Sequence, residues 1–462
     1  MMESAATLLS KYIQIDTSTT SGNEKSGLLY MQMVAESFGL YTYYHETTVT
    51  KGNLIIALHK EDLLPFYNEV YIKNYRKKGT PFSKEVMVLL SHVDVVDANA
   101  DDWRYPPYSG EIIEGEIWGR GAIDAKQIGI THLLTMRNLK EMDSPISIIQ
   151  VITSEEEYGS ENGLKRLLSD YPFLWKGVTV WNEGGGFPIQ VGDTFFYLVE
   201  TGQKGNMSFT VTIPQKKSSN PYLPSNQTDI AAFRMVQALH TMKVENESIP
   251  ASVSKMFSLM VKGMKSDASF DRYDDLIATL PEEHRRMFSA MTKTTFTVTA
   301  VHGGKRHPKL KGSYQLSVDV RPLPITKLAD VKRVVEQTIT DIEPEAIIDW
   351  VYESEGYDRE LPESMRRILE RQLQLGNVET AIVVPFMTIG SNDGKYFNDV
   401  QATVLGYCPM TTNMTFDRVL PLVHGVDERI GIVELEFGIQ QLTAVFKNII
   451  EESMEGEMSY ER

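Results

Sequence analysis

Two histidines and a scatter of carboxylates, each next to a glycine turn or at the end of an apolar run, are the residues here whose types and spacing could do chemistry. The apolar run Val86 to Leu90 leads into Ser91-His92-Val93-Asp94. Because side chains alternate along an extended chain, His92 and Asp94 share a side. One could bind a metal while the other fixes its ring tautomer, and a buried structural His–Asp pair would look the same in sequence. In Trp118-Gly119-Arg120-Gly121-Ala122-Ile123-Asp124-Ala125-Lys126, two glycines allow a sharp turn before an aspartate at a helix start. Asp124 could cap that helix, or it could hold two cations, one on each oxygen.

Thr153-Ser154-Glu155-Glu156-Glu157-Tyr158-Gly159 puts three acids together at the end of another apolar run. Their mutual repulsion requires either compensating cations or screening by water. Trp181-Asn182-Glu183-Gly184-Gly185-Gly186 ends a further run with a carboxylate beside three glycines, at a spacing that matches neither a Walker loop nor a dinucleotide fingerprint. Far downstream, Val423-His424-Gly425 supplies a histidine in a loop before the last helical stretch.

The elements that must carry these groups alternate. Glu24 to Phe38 and Lys126 to Leu139 have helical patterning, while Val86 to Leu90, Ile146 to Thr153 and Val178 to Trp181 are short, apolar and β-branched. Such alternation predicts an α/β fold, a mostly parallel sheet flanked by helices, with ligand sites beyond the carboxyl ends of its strands. From about Asn206 the texture changes. Strand Ser208 to Ile213, helix Ile230 to Met242, a long polar helical stretch to about Met291, strands Thr294 to Val301 and Tyr314 to Val320, helix Leu328 to Ile339 and strand Ala346 to Tyr352 form the split β-α-β order of an α+β unit. After Arg359 the α/β texture resumes, with helix Pro362 to Gln374, strand Ala381 to Val384 and helix Val433 to Ile450. The expected organisation is a catalytic domain of residues 1–205 and 356–462 with residues 206–355 inserted as a lid.

Composition narrows the function classes. A chain of 462 residues with 42% hydrophobic and 23% charged residues is an ordinary globular protein of about two domains. Its net charge of −16 would repel phosphate backbones and anionic lipid, so neither nucleic acid nor a membrane is an expected partner. Met1 to Lys11 lacks the pattern of a secretory signal, which makes the cytoplasm the expected compartment. One cysteine, Cys408, excludes an intramolecular disulfide and a thiolate-rich zinc site, so any metal would be held by nitrogen and oxygen.

Taken in order, the five segments resemble the aminoacylase, carboxypeptidase G and succinyl-diaminopimelate desuccinylase group of two-zinc amidohydrolases, peptidase family twenty, over nearly the whole chain. Trp103-Arg104-Tyr105-Pro106-Pro107-Tyr108-Ser109-Gly110 and Asn182-Glu183-Gly184-Gly185-Gly186-Phe187 are similar to segments of its carboxypeptidase S-like branch. The resemblance implies two divalent ions, zinc first and cobalt or manganese as alternatives, with His92 and Glu183 on one, Glu157 and His424 on the other, and Asp124 between them. Asp94 would orient His92. Glu156 would be the general base, taking a proton from a metal-bridging water and delivering it to the leaving amine. The implied activity is hydrolysis of N-acyl amino acids or short peptides, and the implied assembly is a homodimer formed through the lid.

Some substrate-reading positions depart from the family pattern. Where relatives carry a lid histidine that stabilises the oxyanion, this chain has Lys216-Lys217-Ser218-Ser219, which makes Lys217 the candidate replacement. A family asparagine after a Gly-Gly turn is missing from Gly303-Gly304-Lys305-Arg306-His307, leaving His307 or Arg306 nearby. Arg321 matches a family arginine. In Ser391-Asn392-Asp393-Gly394-Lys395, Lys395 replaces an arginine that grips the substrate's carboxylate, and lysine lacks the two-pronged fit. These losses leave open a second reading, a metal-retaining protein that binds a peptide or amino-acid derivative without turnover.

Overall fold

In the computed structural model, residues 3–67, 85–215, 227–264, 273–304, 307, 309–310 and 312–455 are described. Their largest element is a ten-stranded sheet. At its centre Ser147–Thr153, Val86–His92, Thr179–Asn182 and Thr403–Gly406 lie side by side and parallel. Tyr41–Glu46 and Gly52–Ala57 extend one flank antiparallel. On the other flank Thr194–Gln203 pairs with Thr403–Gly406, with the parallel strand Ala381–Thr388 and with the antiparallel strands Pro188–Val191 and Tyr357–Asp358. The α/β architecture expected from the alternating segments is therefore the one found.

Burial explains why the central segments read as continuous apolar runs. All seven residues of Val86–His92 are buried. Met87 and Leu89 join one core, while Val86, Val88 and Leu90 join another on the opposite face. A strand covered on both faces needs no polar alternation. The helix Lys126–Leu139 is buried almost all round, because it lies between the sheet and the long helix Ile432–Glu455.

Asn206–Ile213, Tyr314–Arg321, Thr295–Gly303 and Ile347–Ser354 form a separate, antiparallel four-stranded sheet. Asn206–Ile213 alternates between half-buried and buried residues, as a strand covered on one face must. Its covered face packs on the helices Gln227–Thr241 and Leu328–Ile342. The helices Ala251–Gly263, Tyr273–Thr279 and Glu282–Ala290 instead pack with Phe196, Leu198, Val384 and Phe386 of the large sheet. The stretch between residues 206 and 355 thus contributes to two cores. Among the described residues no helix is long and apolar enough to cross a membrane.

Candidate metal centre and its cavity

The parallel strands bring their carboxyl ends to one edge, and the candidate ligands follow from that. His92 ends Val86–His92, Glu156 and Glu157 come just after Ser147–Thr153, and Glu183 directly follows Thr179–Asn182. His92 is 2% exposed, and its Nδ1 is 2.9 Å from the backbone oxygen of Asp94. A carbonyl only accepts, so Nδ1 carries a proton, and Nε2 is the ring atom left to serve as a metal ligand. Nε2 lies 3.0 Å from Asp124 Oδ1 and 3.5 Å from Glu183 Oε2. On the other side, His424 Nε2 is 3.2 Å from Asp124 Oδ2 and 3.0 Å from Glu157 Oε1. Each oxygen of Asp124 therefore faces a different histidine.

Asp124 does not cap its helix. The N-cap of Lys126–Leu139 is Ala125, and no side chain caps that end. His92 is oriented by Asp94: its carbonyl holds the ring, while its carboxylate is 3.6 Å from Nδ1. That carboxylate instead accepts hydrogen bonds from the backbone N–H groups of Glu156, at 3.1 Å, and Glu157, at 3.0 Å. Asp94 thereby positions the acidic turn as well as the histidine.

Burial, and after it the crowding of like charge, shifts the carboxyl groups. Burial first, and then Glu183, raises the pKa of Glu156 well above the ordinary range. Burial likewise raises Glu183 to about 7, with Asp124 adding to the rise against the pull of His92. His424 is pushed up to about 10 by its hydrogen bonds to Asp124 and Glu157. His92, Asp124 and Glu157 offer ligand atoms within 4.8 Å of one another, as do His92, Glu156 and Glu183. An excess of buried negative charge around two imidazoles, with donors limited to nitrogen and oxygen, fits divalent cations of the zinc, manganese or cobalt kind.

Neighbouring residues hold this arrangement in place. Glu155, the first acid of the turn, is paired with Lys51 and accepts a hydrogen bond from the N–H of Asn162 at 2.7 Å. Buried Glu24 accepts the N–H of Glu155 at 3.2 Å and pairs with Lys51 at 3.3 Å. One acid is thus neutralised by a lysine, and the other two are free to face the histidines. Glu155 (φ 62°) and His424 (φ 56°) both adopt the left-handed conformation that non-glycine residues rarely take. Such strain costs of order 1–3 kcal/mol and persists where surrounding contacts impose it.

Glu428 carries no signal of its role in the sequence. Fully buried, it accepts hydrogen bonds from the N–H groups of Ile123 (2.7 Å), Asp124 (3.0 Å) and Gly121 (3.0 Å) and from Arg120 Nη1 (2.6 Å). Arg120 Nη2 also donates to the carbonyl of His424 at 3.3 Å. The pair joins the loop of Asp124 to the loop of His424. Glu428→Ala leaves a buried guanidinium without its counter-charge, so urea unfolding should show a loss of about 3–5 kcal/mol.

His424 and the acids Asp124, Glu156, Glu157 and Glu183 open into a cavity of about 730 Å³, within the roughly 300–1,000 Å³ range of small-molecule sites. Arg321 and Lys395 line it. Arg321 Nε donates to Asp319 at 2.9 Å, and Lys395 Nζ donates to Ser391 Oγ at 2.7 Å. A register shift between Ser208 and Phe209 sets Tyr352 opposite Ser208, and both face the cavity. Trp350, opposite Phe209, stays in the core on the other face, which is the re-aiming that a bulge produces. His307 does not line the cavity, and its Nδ1 accepts the N–H of Leu310 within its own loop. Lys217 and Arg306 lie outside the described residues.

Behind Glu183, a buried network supports the wall. Asn392 donates to both oxygens of Glu200, at 3.2 and 3.0 Å, and Tyr357 donates to Glu200 Oε1 at 3.0 Å. Burial raises Glu200 to about 8 against the pull of these donors. Gly184 (φ 97°) packs so closely that a Cβ there would lie 1.9 Å from Glu200 Oε2, which explains one glycine of the Gly-Gly-Gly turn.

The chain is 21% identical over 462 aligned residues to the N-fatty-acyl-amino acid synthase/hydrolase PM20D1 of Homo sapiens, covering 94% of this chain and 86% of that protein. It is 24% identical over 379 residues to a probable carboxypeptidase S-like 2 of Dictyostelium discoideum, covering 78% of this chain and 70% of that protein. The fold superimposes on that of an M20 family metallo-carboxypeptidase, Sso-CP2 from Sulfolobus solfataricus, with a TM-score of 0.70 at 15% identity, covering 96% and 99% of the two chains. Residues 88–448 match the model of peptidase family M20/M25/M40, and the chain belongs to that family.

Proposed function

We propose that this family M20 hydrolase uses two divalent metal ions, zinc in the first instance, to cut the amide bond of N-acyl amino acids or short peptides. The observation that carries the reading is Asp124, whose two oxygens face His92 and His424 at 3.0 and 3.2 Å. His92 and Glu183 would hold one ion, Glu157 and His424 the other, and Asp124 both. Ions bound there supply a Lewis acid for the scissile carbonyl and lower the pKa of water towards ~7.

The chain's own groups do the rest. Glu156 takes the proton of the attacking water on a carboxylate oxygen and returns it to the leaving nitrogen, so the amine departs neutral. Asp94 holds the Glu156 and Glu157 amides, which keeps the base beside the ligand set. Lys395 and Arg321 offer positive charge for the carboxylate of the substrate's amine-side residue.

Protein purified without chelator should carry two ions per chain by elemental analysis. A turnover screen over N-acyl amino acids and dipeptides with added zinc, cobalt or manganese tests the reaction. If the protein binds two ions yet hydrolyses none of them, the non-hydrolytic binding reading takes its place.

We also propose a homodimer. The helix Gln227–Thr241 leaves Ile230 (47%) and Phe233 (75%) exposed, and it packs on the edge strand Thr295–Gly303, which exposes Val301 (50%). A second copy would cover these apolar groups. A monomeric mass in solution at micromolar concentration would rule this out.

A further inference from the structure

The cavity has a wall that the reaction itself does not need. Phe416 begins the short helix Phe416–Val419, and its ring lies 6.0 Å from that of Phe187 and 6.1 Å from that of Phe386. Val419, Leu420 and Val423 continue the apolar surface along the segment that ends at His424, and all of these residues line the cavity. Leu420 is 50% exposed. An apolar side chain left facing a polar metal cleft is a cost unless something covers it.

The side of the scissile bond that meets this wall follows from Glu156. The acidic turn that carries Glu156 packs on the segment that carries Lys395: Tyr396 Oη donates to the carbonyl of Gly159 at 3.2 Å, and Ser160 Oγ donates to Asp393. The base therefore faces the turn that carries Lys395. A group that delivers its proton to the leaving amine has the amine-side residue next to it, with that residue's carboxylate towards Lys395. The acyl portion then extends the other way, to the His424 loop.

Resting on the amide-hydrolase reading, we propose that the Phe187, Phe386 and Phe416 cluster with Val419, Leu420 and Val423 is an acyl subsite. It selects N-acyl amino acids with a long aliphatic or aromatic acyl group over N-acetyl ones. Each methylene taken out of water contributes up to about fourfold, so burying three or four gives on the order of 100-fold.

The test compares N-acetyl-, N-hexanoyl- and N-decanoyl-leucine in two ways: kcat/KM with the metal-loaded enzyme, and calorimetric affinity for metal-free protein. Both should rise with acyl length, with the decanoyl compound at least ~30-fold ahead of the acetyl one, and calorimetry should show the negative heat-capacity change of apolar burial. Phe416→Ala should reduce the decanoyl-to-acetyl ratio about tenfold. Leu420→Ser, at a half-exposed position, should reduce it in the same direction if the first variant fails to fold. Equal values across the series, in either turnover or binding, overturn the subsite and leave the hydrolase reading standing. Length-dependent binding with no turnover of any compound overturns the hydrolase reading and leaves the subsite standing.

Discussion

Glu156→Gln should retain the fold and both metal ions while turnover falls at least ~10²-fold. The amide keeps the size and much of the hydrogen bonding of the carboxyl but cannot accept and return a proton, which is the usual extent of loss for a general base. The comparison with its neighbour makes the result specific. Glu157→Gln changes the same chemistry one residue along, but Glu157 Oε1 is 3.0 Å from His424 Nε2, so this variant should lose metal. Glu156 also lies within ligand reach of His92 and Glu183. If Glu156→Gln lost an ion, its role would be that of a ligand, and the proton transfer would have to be sought elsewhere. Elemental analysis of both variants beside their kinetics separates the outcomes.

Asp124→Ala should abolish binding of both ions together and take turnover with it. With each oxygen facing a different histidine, removing the carboxylate deprives both half-sites of a ligand at once. It also removes one of the two carboxylates, with Glu157, whose hydrogen bonds push the pKa of His424 up. Loss of one ion with full retention of the other would show that Asp124 belongs to a single half-site. Circular dichroism and urea unfolding of the variant are expected to stay close to those of the parent, since the Glu428 hydrogen bonds are made by the backbone of residues 121–124 and not by the Asp124 side chain.

Much of this was legible because sequence pattern and position coincide. His92, Glu156, Glu157 and Glu183 all stand just beyond apolar runs that become parallel strands, and parallel strands place such positions along one edge. The supporting residues carry no comparable signal. Glu428 reads as one more acid in a polar loop, and only the fold shows that it gathers three backbone N–H groups some 300 positions away. The sequence marks Asp94 as an orienting residue but does not distinguish its carbonyl from its carboxylate. The aromatic wall was invisible for a different reason: Phe187, Phe386 and Phe416 come from three separate segments, and the helix Phe416–Val419 is too short to show periodicity. Tyr352 reaches the cavity through a register shift, which alternation along the strand would have predicted wrongly.

The bond between Arg120 and Glu428 has a bearing on how the protein is made. Asp124 is synthesised early, but the group that shapes its loop arrives 304 residues later, and His424 comes with it. A ribosome-bound chain that has not yet exposed residue 428 holds His92, Asp124, Glu157 and Glu183 without the carboxylate that sets the turn or the second imidazole. On the proposed two-ion reading, metal capture is a late event in biogenesis, and a polypeptide cut short before His424 should be both metal-free and inert. Metal content then reports that translation has run past Glu428 and that the loops of Asp124 and His424 have met.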